Sequence, residues 1–452
     1  MTASGKEHTL SEKEEALLAK ASQMSTVPDE VFSKFNNADV KFGKVKRENG
    51  QEDELTNGNF ATFMESQDRA VRKAAFEALY KQYGAYINTI AAAFYGNVKQ
   101  AMFYADARGY KSTLNMYLDG SFIPENVYKN LIKTVNDNLD KMYCYVDIRK
   151  KALGVDELHF YDIYAPMVED IDWKISYDEA KDIVVKALAP MGEEYVSHIK
   201  EGFNNGWGDV YENTGKRSGA FSWGAYGTHP YVFLNYSDTL NDVFTVIHEM
   251  GHAMHTYYSN ANQPYIYAGY KIFVAEVAST CNEAILMQYM LKNTDDEKKK
   301  RYLLNHFFEQ FKGTLYRQTM FAEFEMEAHA KAEHGEVLSA ESLCAMYKKL
   351  NEKYFGPDMV IDDEIALEWA RIPHFYTPFY VYQYATGYSA AIAISTKILA
   401  GDEQVIAGYR KFLSGGSSMH PIELLKLCGI DMTRPDVVQE ALDVFGELLK
   451  QW

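Results

Sequence analysis

The chain has 452 residues, room for two or three domains, and 47% of them are hydrophobic, ample for a core. A formal net charge of −17 argues against nucleic acid and anionic membrane surfaces as partners. The N-terminus is polar without a signal peptide, and the longest small-apolar stretch, residues 390–394, is far too short to span a bilayer, so a cytoplasmic location is expected. The four cysteines, Cys144, Cys281, Cys344 and Cys428, are scattered, form no C-x-x-C and predict no disulfide.

Ser11-Glu12-Lys13-Glu14 reads as a capping box opening a helix through about Ser22. Residues 39–56 read as a hairpin, with Val40, Phe42 and Val45 ahead of an Asn49-Gly50 turn. From Asn59 the pattern turns helical: Phe76, Leu79, Tyr80, Tyr83, Ile87 and Ile90 recur at three and four residues, as a core-facing stripe does. Helical patterns resume over 125–153, 176–203, 294–332 and 339–354. Between Trp207 and Tyr236, glycines, aromatics and short β-prone runs predict a few strands, the last of them 231–236. Further on, Thr377 can N-cap a helix with Pro378 at its first position, carrying Tyr380, Tyr382 and Tyr384. No linker or internal repeat interrupts the chain, which divides into a lead-in, 1–57, and one large domain, 58–452.

The chemistry concentrates at His248-Glu249-Met250-Gly251-His252, an H-E-x-x-H inside a predicted helix from Asp238 to about Tyr258. Asp238 or Thr239 can cap that helix, and Val243, Val246 and Ile247 give it an apolar body. Residues i and i+4 lie on one helix face, so both imidazoles can bind one Zn²⁺. Glu249 can then reach a water at the metal without ligating the metal itself.

Catalytic zinc usually keeps three protein ligands and an open position. His255 is seven residues past His248, but seven residues rise about 10.5 Å along a helix, so it reads as a packing or outer histidine. A metzincin would need histidine ten residues after the first, where this chain has Tyr258. Glu276, on a second predicted helix running to about Leu291, would complete a His₂Glu set. Its bland alternative is a solvated carboxylate, against which the apolar neighbours on both sides argue. Glu283, seven residues on, could hydrogen-bond a ligand imidazole. The strand feeding the histidine helix could pair with an extended peptide backbone, with His229, Tyr231 and Phe233 as candidate substrate-binding residues. An ordinary internal strand is the open alternative.

The runs Ser222-Trp223-Gly224, Thr228-His229-Pro230-Tyr231-Val232 and Asp242-Val243-Phe244-Thr245 resemble oligoendopeptidase F, a family of the thimet-oligopeptidase-like zinc peptidases. So do the H-E-x-x-H, residues 273–280, and His374-Phe375-Tyr376 with residues 379–387. The resemblance runs from about Lys6 to the C-terminus. It implies a mainly α fold: a large helical zinc-peptidase domain with a small β-sheet beside the H-E-x-x-H helix, in two halves around a deep channel. It implies that 1–57 is the end of the family's N-terminal region, the rest of which precedes this point in relatives. It implies one zinc per chain and cleavage of short, unstructured oligopeptides, with Glu249 as general base. Peptide hydrolysis builds negative charge on the carbonyl oxygen, and tyrosine hydroxyls and histidine N–H groups can donate to it. By position in the family's pattern, His374 and Tyr382, with Tyr376, take that role, although a tyrosine cluster by itself is more often core. The alternative from another class is a non-catalytic, zinc-containing peptide-binding protein, which would have no use for a base at Glu249.

Overall fold

A computed structural model describes residues 7–169, 171 and 173–452. The chain is mainly helical and forms two compact units, each built from separate stretches. The first comprises Met1–Gly120, Asn138–Met167 and Thr319–Tyr382, the second Ser121–Asp137, Val168–Gln318 and Gln383–Trp452. Among the described residues no helix is long and apolar enough to cross a membrane.

In the first unit, Ser11 caps the helix Glu12–Ser25 through the expected capping box with Glu14. The hairpin pairs Lys44–Lys46 with Glu52–Glu54, Val45 facing Asp53. Its turn is longer than a two-residue Asn-Gly loop: Arg47 N–H donates to Gln51 O at 2.7 Å and Gly50, at φ 83°, to Arg47 O at 2.9 Å. The helix Arg69–Ala85 starts at Asp68, whose side chain accepts from Ala70 N–H, and buries Phe76, Leu79, Tyr80 and Tyr83. The expected stripe holds to that point, but the chain breaks at Tyr86 and Ile87 opens a new helix, Ile87–Ala107. The 57/58 boundary falls inside this unit. Tyr83 OH donates to Asn36 Oδ1 at 2.7 Å and to Asn57 Oδ1 at 3.2 Å, tying the lead-in to the helix Arg69–Ala85. The fully buried Asp162 collects the Arg69 and Arg72 guanidinium groups, each at 2.8 Å.

Two of the stretches with a helical pattern each form two helices. Residues 125–153 form Glu125–Asn136 and Leu139–Leu153, separated at Asn138, which has left helical geometry (φ −124°, ψ 25°). Residues 176–203 form Tyr177–Ala187 and Glu193–Asn204, separated by Pro190 and by Gly192 at φ 93°.

In the second unit, three short strands lie in the order Gly208–Asp209, Tyr231–Phe233, Phe221–Trp223. The first pair is parallel, the second antiparallel with Trp223 opposite Tyr231. The strand Tyr231–Phe233 is shorter than the expected 231–236. Its continuation is anchored by Tyr236, whose hydroxyl donates to Ile175 O at 2.8 Å. Two long helices come next, Leu240–Asn262 and Ile272–Lys292, packed on each other along their length.

Candidate metal centre

The helix Leu240–Asn262, the histidine helix, begins at Thr239. Its hydroxyl accepts from Asp242 N–H at 3.2 Å, and Asp242 Oδ2 accepts in return from Thr239 N–H at 2.9 Å. Val243, Val246, Ile247, Met250, Ala253 and Met254 fill the buried face and fix its rotation. His248 and His252 fall one turn apart beside that face, half-buried, with their Nε2 atoms 3.1 Å apart. The helix Ile272–Lys292 brings Glu276 to the same place: its Oε2 lies 3.3 Å from His252 Nε2 and 3.6 Å from His248 Nε2. Ser279 Oγ donates to that carboxylate oxygen at 3.1 Å.

The three atoms form a triangle whose size can be compared with a metal's requirement. Zinc binds imidazole nitrogen and carboxylate oxygen at about 2.0–2.2 Å, so the edges of its tetrahedron are about 3.3 Å. The observed edges of 3.1, 3.3 and 3.6 Å fit without rearrangement. Among the described residues this is the one group of three or more such side chains with ligand atoms all within 4.8 Å of one another. Glu283 Oε1 stands 3.2 Å from His248 Nδ1, on the far side of that ring. A proton on Nδ1 leaves Nε2 with its lone pair free for a cation.

The electrostatics favour positive charge here. Burial works against protonated His248, but Glu283, with Glu249 and Glu276 nearby, outweighs it and pushes its pKa up to about 9 in the metal-free protein. The hydrogen bond from His252 pulls Glu276 down to about 2. Glu249 differs from its neighbours. It is buried, its Oε2 has no hydrogen-bond partner, and burial raises its pKa against the opposing pull of His248 and His252. A carboxylate poised toward protonation suits a group that must take up and release a proton. His255 is no ligand: it is buried against Tyr270 in a stack with centroids 3.7 Å apart, and burial lowers its pKa to about 3.

The sheet lies beside the histidine helix. Gly224, just past Phe221–Trp223, allows the approach, since a Cβ there would sit 2.6 Å from Thr256 Cγ2. The structure corrects one expectation. Tyr231–Phe233 has neighbours on both sides, so its backbone is committed within the sheet, and the outer strands are Gly208–Asp209 and Phe221–Trp223. His229 stacks on Trp207 with centroids 5.6 Å apart, and Phe233 stacks on Phe221 at 4.7 Å. Tyr231 and its cross-strand partner Trp223 are both exposed.

His374, Tyr376 and Tyr382 lie in the first unit. The expected helix from Pro378 does not form there. Pro373–Tyr376 is a short 3₁₀ turn, Phe379 takes a left-handed φ of 55°, and the helix starts only at Tyr382, running to Leu399. A left-handed residue cannot continue a right-handed helix, so Tyr380 falls before it. His374 is exposed, its ring parallel to that of Tyr380 at 6.1 Å. Tyr376 stacks on Phe32 at 4.4 Å, and its buried hydroxyl has no hydrogen-bond partner. Tyr382 is 2% exposed, and burial raises its pKa.

Sequence reasoning passes over Gly251. A Cβ at this position would lie 2.6 Å from Ser279 Cα and 2.8 Å from Ala278 O, on the second helix. The signal is a glycine in a helix interior, where it costs stability unless something must come close.

Residues 62–444 match peptidase family M3, and residues 3–42 match the N-terminal family described as oligopeptidase F. The chain is 53% identical over 444 residues to oligopeptidase PepF of Bacillus subtilis, covering 98% of this chain and 66% of that protein. It is 43% identical to an oligoendopeptidase F homolog of Lactococcus lactis, covering 99% of this chain and 74% of that one. The crystal structure of oligoendopeptidase-F from Enterococcus faecium superposes with a TM-score of 0.84 at 37% identity, covering 98% of this chain and 74% of that one. The chain thus spans about two thirds to three quarters of the length of these relatives.

Proposed function

The chain belongs to peptidase family M3, and on that premise we propose that it is a zinc-dependent endopeptidase acting on short, unstructured oligopeptides. The observation that carries this reading is the triangle of His248, His252 and Glu276, whose edges are those of a zinc tetrahedron. Zinc bound there, one per chain, supplies Lewis acidity and makes water acidic enough to lose a proton near neutral pH.

The remaining work falls to the chain's own groups. Glu249 takes the proton of the attacking water and passes it to the leaving amine; its partnerless oxygen and raised pKa support that role. His374 and Tyr382, with Tyr376, are proposed as donors to the oxyanion that develops on the scissile carbonyl. Extended substrate backbone is proposed to add to one of the two outer strands, Phe221–Trp223, with His229, Tyr231 and Phe233 as substrate-binding side chains. Strand addition gives affinity with little demand on sequence. A non-catalytic zinc-containing peptide binder is the competing reading, and a buried, partnerless base at Glu249 speaks against it. Hydrolysis of an internally quenched, unstructured peptide tests the proposal. Activity should vanish on chelation and return with zinc, whereas peptide binding without turnover at any zinc level would favour the competitor.

A further inference from the structure

The first unit holds a carboxylic acid that the proposed chemistry does not use. Glu325, on the helix Arg317–Glu333, has no exposed surface. Among the described residues it has no basic side chain within ion-pair reach; its Oε1 accepts a single backbone hydrogen bond, from Phe379 N–H at 2.9 Å, and its Oε2 has no partner. Burying a carboxyl with so little compensation is costly and needs a reason.

Phe379 supplies one. It is a side-chain-bearing residue in left-handed backbone geometry, φ 55°, a conformation that persists only where its surroundings over-determine it. Its N–H lies outside any helix ladder and needs an acceptor that the local chain does not offer. Glu325 is that acceptor. The Phe379 ring is held from the same side, 4.6 Å from the buried His329 ring and 5.9 Å from Tyr117. His329, one turn beyond Glu325, is itself fixed by Thr113, with Oγ1 2.9 Å from Nδ1. The segment has a second anchor, because the buried Asn97 donates to Phe375 O at 3.2 Å. Phe379 stands between His374–Tyr376 and Tyr382, so the two anchors fix the stretch that carries all three proposed donors.

We infer that Glu325 is a positioning residue, which sets the Phe379 turn through a backbone hydrogen bond and thereby the placement of Tyr382 for peptide hydrolysis. The inference rests on the donor role proposed for Tyr382. Burial lifts the Glu325 pKa to about 8, so at neutral pH it is held largely as the neutral acid, and Tyr117 is the ionisable group that interacts with it. Acceptance of a hydrogen bond is then what matters, and charge is not.

The test uses the zinc-loaded full chain with Glu325→Gln, which keeps an acceptor, and Glu325→Met, which keeps volume but accepts nothing. Hydrogen exchange over residues 374–384 is followed together with kcat and KM on a quenched peptide. In Glu325→Gln both should stay within about threefold of wild type; in Glu325→Met exchange should quicken and kcat fall by about tenfold or more, with KM nearly unchanged. In a Tyr382→Phe background the methionine change should cost much less, since a residue acting through Tyr382 has little left to place. Unaltered exchange in Glu325→Met, equal damage from both substitutions, or full additivity with Tyr382→Phe would each overturn the inference. Wild-type turnover in Tyr382→Phe alone would overturn it differently, by removing the donor role while leaving the exchange result standing. Should Glu325→Met not fold, Phe379→Gly, which frees the turn from its other side, must show the same faster exchange and lower kcat.

Discussion

Gly251 and Ser279 bring the two metal-site helices into contact: a Cβ on Gly251 would stand 2.6 Å from Ser279 Cα. Glu276 lies one turn before Ser279, and His248 and His252 flank Gly251. The absence of one methyl group is therefore what allows a carboxylate on one helix to reach imidazoles on the other. Gly251→Ala cannot be absorbed by a flexible side-chain end, because the obstructing atoms are backbone. The helices must part, and Glu276 moves from the histidines. Zinc content of the purified variant should fall well below one per chain, although alanine is the better helix former. Full zinc occupancy in Gly251→Ala would show that the close approach is incidental.

Glu283 offers a subtler perturbation. Its Oε1 holds His248 Nδ1 at 3.2 Å and touches none of the other proposed ligand atoms. Glu283→Gln keeps the size and an acceptor but removes the charge. Zinc affinity is expected to drop by about 10–100-fold, the usual effect of losing a carboxylate behind a ligand histidine. Competition with a chelator of known affinity measures it, and an unchanged affinity would mean that Glu283 neither orients nor charges His248.

Much of this centre was legible in the sequence because it depends on helix periodicity. The i, i+4 spacing puts His248 beside His252 whatever the rest of the chain does, and Thr239 with Asp242 marks the helix start. Glu276 was reached through its apolar neighbours, the failure of His255 and Tyr258 as ligands and the family resemblance of residues 273–280, since sequence spacing cannot say which helices touch. The C-terminal loop was misread for a physical reason. Thr377-Pro378 is a sound helix-start signal, but a buried carboxyl on a distant helix holds Phe379 in left-handed geometry and delays the helix to Tyr382. Strand order was likewise invisible, because the runs 208–209, 221–223 and 231–233 do not reveal which of them lies in the middle.

Asp162 gives a stability prediction independent of the chemistry. It is fully buried between Arg69 and Arg72, and although burial alone would raise its pKa, the two guanidinium groups hold it below the ordinary carboxylate range. A depressed folded pKa contributes stability that is complete above the unfolded value, about 3.9, and is lost as pH falls through the lower folded value. Asp162→Asn leaves Arg72 buried without a counter-charge and should cost about 3–5 kcal/mol near neutral pH. The gap between variant and wild type should narrow on acidification below pH of about 4. Denaturant titrations at several pH values check this, and a gap that does not change with pH would mean that the ion pairs contribute nothing beyond packing.

The central claim is that Glu249 is the base of a zinc peptidase, and one substitution addresses it directly. Glu249→Gln preserves shape and polarity and leaves His248, His252 and Glu276 in place. Zinc content, affinity for an unstructured peptide and hydrolysis of that peptide are measured on the same preparation. The expected result is one zinc per chain, peptide affinity close to wild type and no detectable turnover. Hydrolysis at near wild-type rate with zinc in place would contradict the assignment of Glu249, and with it the mechanism proposed for this chain.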